Sequence, residues 1–95
     1  MVDRSLIFRF HAVQRMFERG ISEVEVRDVL ENGEIIEEYP DELPYPARLM
    51  LAAPEQRPLH VVASDHSDSH KTVIITVYEP NPREWRDGFR RRRQT

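Results

Sequence analysis

The chain reads as one α+β domain: an N-terminal helical hairpin packed on a four-stranded antiparallel sheet, followed by a short C-terminal helix. Three observations predict this. Apolar residues recur at helical spacing only before Gly33, four short β-rich runs follow it, and Pro80-Asn81-Pro82 closes the last of them.

The first helix spans His11–Arg19. It sets Ala12, Val13, Met16 and Phe17 on one side and His11, Gln14, Arg15, Glu18 and Arg19 on the other. Gly20 falls where a left-handed residue ends a helix. Ser22-Glu23-Val24-Glu25 has capping-box spacing, and Ile21 and Val26 sit as a hydrophobic staple. A second helix therefore runs to about Glu31 and stops at Asn32-Gly33.

The four strands are Ile35–Tyr39, Arg48–Ala53, Leu59–Asp65 and Thr72–Glu79. Only His66–Lys71 separates the last two, which predicts an antiparallel hairpin. Alternation assigns Leu59, Val61, Ala63, Val73, Ile75 and Val77 to the core, and His60, Val62, Ile74, Thr76 and Tyr78 to the opposite face. Placing Ser64 opposite Thr72 sets His60 opposite Thr76, with Tyr78 diagonal to it, neighbours at roughly 5 to 8 Å. Beyond the sheet, Asn81 suits a helix cap, Pro82 the first helical position and Glu84 the capping-box site. Trp85 and Phe89 would dock that helix.

Ninety-five residues, 39% of them hydrophobic and 33% charged, make a single domain over residues 1–95 with one small core. No large enclosed cofactor cavity fits inside it. No apolar run approaches the roughly 20 residues of a membrane span, and Met1–Phe10 has too short an apolar stretch for a signal peptide. Cysteine is absent, which excludes disulfide scaffolds, thiolate metal sites and cysteine nucleophiles and fits a reducing cytoplasm. A cytoplasmic protein is the expectation.

The net charge of -3 hides an asymmetry. Residues 83–95, a basic C-terminal helix or tail, set six arginines against Glu84 and Asp87, a net +4. Residues 1–82 hold eight basic and fifteen acidic side chains, a net -7. A polyanion would meet favourable charge only on selected surfaces. Arg90–Arg93 reads either as a strip for RNA or as a frayed terminus.

Two clusters suit chemistry. His60, Thr76 and Tyr78 converge on the less apolar sheet face, either as a reactive group or as a half-exposed face with a satisfied histidine. His11, Arg15 and Arg19 follow one ridge of the first helix, either as a solvated charged face or as guanidinium forks for phosphate. Asp65–His70 holds oxygen and nitrogen donors but matches no metal-loop pattern, so neither metal nor cofactor is expected.

The stretch His11-Ala12-Val13-Gln14-Arg15-Met16-Phe17-Glu18-Arg19-Gly20-Ile21, with Thr76-Val77-Tyr78-Glu79-Pro80 and Trp85 further on, resembles a family of small bacterial domains of unassigned function. That family opens with H-A-x-x-R-M-x-x-R-G-I and is grouped with RelE-, BrnT- and MqsR-like toxins of type II toxin–antitoxin systems. The resemblance covers about residues 8 to 86 and implies a RelE-like fold. It further implies metal-independent RNA cleavage, RNA that is free or ribosome-bound, and a cognate antitoxin protein as partner. In that chemistry the ribose 2′-OH loses a proton to a base and attacks the adjacent phosphate, while cations steady the added charge. His11 and His60 suit base or acid, with the division open between them, and Arg15 suits the phosphate. Tyr78 suits proton donation. Arg19, Thr76, Arg83 and Arg90 suit substrate binding. The acidic body departs from the basic surface of such toxins, and Arg9-Phe10 stand where a helix-capping residue is expected. The rival expectation is a non-catalytic module that binds nucleic acid or protein.

Overall fold

The structure, a computed structural model, describes residues 5–94. Thr95 and the first four residues of the Met1–Phe10 stretch lie outside the described residues.

The helical hairpin forms as its sequence requires. Helix α1 (Phe10–Arg19) ends at Gly20, whose φ of 64° is the left-handed cap. Helix α2 (Glu23–Asn32) starts from a complete capping box. The Glu25 amide donates to Ser22 Oγ at 3.1 Å, and the Ser22 amide donates to Glu25 Oε1 at 2.9 Å. Burial opposes ionisation of Glu25, but the Ser22 amide and the Arg57 guanidinium outweigh it and hold the carboxyl below its ordinary range. Ile21 and Val26 are both buried. At the start of α1, Arg9 supplies no side-chain cap; its amide instead donates to the Ile74 carbonyl at 3.0 Å and tethers the helix to the sheet.

The sheet departs from expectation. It has five strands, not four, and is mixed, not purely antiparallel. The strands are β1 (Ser5–Phe8), β2 (Glu34–Tyr39), β3 (Ala47–Ala52), β4 (Leu59–His66) and β5 (Lys71–Tyr78), in the spatial order β1-β5-β4-β3-β2. Strand β1 runs parallel to β5, from Ser5 opposite Lys71 to Phe8 opposite Ile74. Four residues with no flanking turn give no local signal, since their partner lies at the far end of the chain. What holds them is tertiary: Leu6 and Phe8 pack on the core.

The β4–β5 hairpin forms with a different register. A shift between Val62 and Ala63 sets these opposite Thr76 and Ile74 and leaves Ile75 as an extra residue. This exchanges faces along half of β5. Ile74, not Ile75, joins Leu59, Val61, Ala63 and Val77 in the core, and Tyr78, not Thr76, stands opposite His60. Ala12, Val26, Val29 and Leu30 cover this side of the sheet. Val13 and Phe17, assigned by spacing to the same buried side of α1, are exposed; only Ala12 and Met16 turn inward.

The C-terminal helix does not form. Asn81 does cap a turn, its Oδ1 accepting from the Arg83 amide at 2.9 Å, but the turn ends at once. Asp87, Gly88 and Phe89 adopt φ of 54°, 67° and 69° in succession, a run that no right-handed helix contains. The chain folds back instead, pairing β6 (Trp85–Arg86) with β7 (Arg91–Arg92). Trp85, 3% exposed, is the anchor. This small hairpin straps the face of the sheet opposite the helices.

Candidate functional site

The strap converts a sheet face into a site. His60 is fully buried, its ring edge-on to Trp85 at 4.5 Å between centroids. Nε2 lies 3.0 Å from the Phe89 carbonyl, and Nδ1 lies 3.1 Å from Tyr78 Oη. A carbonyl only accepts, so Nε2 carries the hydrogen and the Tyr78 hydroxyl donates to Nδ1. Burial pushes the imidazole pKa below its ordinary value, against the pull of the Phe89 carbonyl and Glu37, so the ring stays neutral near pH 7. Burial likewise raises the Tyr78 phenol, keeping its proton in place.

A second layer fixes the strap. Arg92 lies over the Trp85 ring, 4.6 Å from its centroid, and reaches Glu37 through Nε at 2.8 Å and Nη2 at 3.1 Å. The Tyr39 hydroxyl donates to the same carboxylate. Burial and that bond to Glu37 raise the Tyr39 pKa to about 12. Arg90 pairs with Glu34 at 2.7 Å. A register shift between Ile35 and Glu37 on β2 brings the two glutamates into line with arginines two residues apart.

Where α1 meets the strap, Arg15, Thr76, Tyr78, Glu84, Trp85 and Arg92 line an open groove of about 250 Å³. Strand β1 pairs with β5 only as far as Ile74, and this leaves the end of β5 open to α1. The groove therefore gathers Arg15, Thr76 and Tyr78 as the sequence suggested. It does not gather the two histidines. His60 lies behind Tyr78 with no exposed surface, a satisfied histidine but on a buried face rather than a half-exposed one, and His11 is exposed on α1 but does not line the groove. Arg19 and Arg83 are exposed elsewhere, and Arg90 is held by Glu34. Two of the loop donors are engaged elsewhere: Asp65 accepts from Thr72 and pairs with Arg48, and His66 stacks on Tyr45. Among the described residues no three metal-ligating side chains converge.

Glu84, Arg92 and the Phe89 carbonyl were not anticipated. A partial signal existed for Arg92: read at strand period, Arg90 and Arg92 share a face, but their partners Glu34 and Glu37 are three residues apart and align only through the β2 irregularity. For Phe89 there was none, because its part is played by a backbone oxygen.

Fold and groove define a small helix-on-sheet domain, strapped by its own C-terminal hairpin, with a cationic groove floored by a tyrosine. The chain belongs to the DUF4258 family, a domain of unknown function, whose family model matches residues 8–79. The match includes Arg15, Thr76 and Tyr78 and ends before the strap. No curated protein and no solved structure gives a significant match. Among the described residues no helix is long and apolar enough to cross a membrane.

Proposed function

We propose that the groove binds single-stranded RNA at a phosphate and that the domain is a metal-independent endoribonuclease of the toxin type. One observation carries this reading: Arg15 and the Tyr78 hydroxyl line one open groove, and that hydroxyl already donates to a neutral, buried imidazole.

Arg15 offers its fork to the non-bridging phosphate oxygens, which gain charge in the transition state. The 2′-OH proton passes to Tyr78 Oη as the phenolic proton passes to His60 Nδ1. The imidazolium so formed keeps its Nε2–H on the Phe89 carbonyl and faces Glu37. The freed 2′-oxygen attacks phosphorus to give a 2′,3′-cyclic phosphate; the departing 5′-oxygen takes a proton from water, and the hydroxide left takes the Tyr78 phenolic proton as His60 Nδ1 returns its own to Oη, which restores the site. His60 is thus the base, working through Tyr78, and the reading has no place for His11.

The test is incubation of the purified protein with single-stranded RNA or ribosomes, with and without EDTA, and identification of the termini. Cleavage that survives EDTA, leaves cyclic phosphate and falls by about a hundredfold or more in Tyr78→Phe supports the reading. No cleavage of either substrate rejects it.

A second reading, a non-catalytic interaction module, draws on α1. Phe10 and Phe17 are 81% and 89% exposed and form one ridge with Val13. Arg9, Arg15 and Arg19 outnumber Glu18 beside it. A partner helix with an apolar stripe and acidic flanks fits that ridge better than a second basic α1 does, and an antitoxin protein of that chemistry is compatible with either reading.

A further inference from the structure

The outward face of the strap holds a second cavity. Among the described residues, Arg86, Arg93 and Gln94 line an open cleft of about 270 Å³. No carboxylate of a described residue lines it. The six C-terminal arginines, alike in sequence, are sorted here by the hairpin. Trp85 and Arg92, paired across β6 and β7, face the sheet, and Arg90 and Arg92 are held by Glu34 and Glu37. Their neighbours Arg86 and Arg93 turn the other way. The Arg93 amide donates to the Glu84 carbonyl at 2.7 Å and its Nε donates to the Pro82 carbonyl at 2.8 Å. The guanidinium is thereby fixed by one edge, and both of its Nη atoms remain for a ligand. Arg86 makes no ion pair with any described residue, on a chain whose remaining body carries a net -7.

Two guanidiniums on a cleft lined by no acid among the described residues repel one another, and an anion between them relieves this. The cleft and the groove lie on opposite faces of the same two-stranded hairpin, since Trp85 and Arg92 of one are chain neighbours of Arg86 and Arg93 of the other. We propose that Arg86, Arg93 and Gln94 form a second phosphate-binding subsite, which takes a further backbone phosphate of an RNA strand that occupies the groove and passes over the edge of the hairpin. The inference rests on the RNA reading for its ligand, and on the hairpin geometry alone for its residues. It replaces Arg83 and Arg90, the pair suggested by sequence, with Arg86 and Arg93.

The test is fluorescence anisotropy with a 2′-deoxy oligonucleotide, which binds without being cut, across a salt series. Arg86→Gln/Arg93→Gln is expected to bind about tenfold more weakly and to lower the slope of log affinity against log salt by about 0.7, the loss of one phosphate contact on a single strand. The Arg86→Lys/Arg93→Lys protein keeps the charge and is expected to keep the slope, which separates lost charge from a damaged hairpin. Unchanged affinity and slope in the glutamine variant overturn the subsite, whether or not the protein cleaves RNA. Binding that depends on Arg86 and Arg93 in a protein that cuts no RNA keeps the subsite and rejects the nuclease. No binding by the wild type at low salt removes both.

Discussion

His60 on β4 and Phe89 in the C-terminal turn are joined by one hydrogen bond, Nε2 to carbonyl oxygen at 3.0 Å, across 29 residues of sequence. The bond closes the strap, excludes water from the imidazole and selects the tautomer that faces Tyr78. Stability and the proposed chemistry thus pass through the same ring.

His60→Ala removes a fully buried ring with two partners and is expected to cost about 3 kcal/mol, the sum of a cavity and unsatisfied groups. Urea denaturation measures it. A loss under about 1 kcal/mol would mean the strap does not depend on this contact.

The same residue sets a pH dependence. Its folded pKa lies below the unfolded value of about 6.5, so the unfolded chain binds the proton first. The stability it contributes is complete above pH 6.5 and declines as pH falls from there through the folded pKa. Melting temperatures between pH 7.5 and 5.5 should fall for the wild type and fall less for His60→Gln. Equal slopes would contradict the buried neutral imidazole.

RNA cleavage should follow the same titration in the opposite sense from an acid catalyst. Activity is expected to be flat above pH 6.5 and to fall only on the acid side, once His60 is protonated. Arg15→Gln should lower kcat/KM by about a hundredfold without moving that limb. An activity that rises toward acid pH would assign the base elsewhere.

The helical hairpin offers tests free of any functional assumption. Ser22→Ala removes one half of the capping box and should cost about 1 kcal/mol. Gly33→Ala would set a methyl 2.8 Å from the Leu51 carbonyl and against Val29, a backbone clash expected to cost about 1 to 3 kcal/mol although φ there is -79°. By contrast Phe17→Ser, on the exposed ridge, should shift stability by less than about 0.5 kcal/mol. Thermal melts of the three variants rank them.

What the sequence disclosed followed the range of the interactions. Gly20, the capping box and the two helices act within four residues, and each stands where its residues place it. The β4–β5 hairpin was legible as a pair, but its register was not, because the extra residue at Ile75 answers to packing on two faces at once. Strand β1 and the strap were hidden: one pairs with residues at the other end of the chain, and the other turns back through three left-handed residues of which only Gly88 advertises it. Arg15, Thr76 and Tyr78 reached one groove even though the register that suggested them was two residues out, since an even slip keeps a side chain on its face. His11 did not, because it lies one helical turn, about 5.4 Å, along the axis from Arg15.

The parallel pairing of the first strand with the fifth sets an order of events during synthesis. Strand β1 leaves the ribosome long before its neighbour β5 exists, and the hydrogen bond that fixes the imidazole of His60 needs a carbonyl made 29 residues later. A nascent chain therefore carries Arg15 without a groove to put it in. The proposed site geometry is assembled only once Phe89 and the strap that carries it have been made.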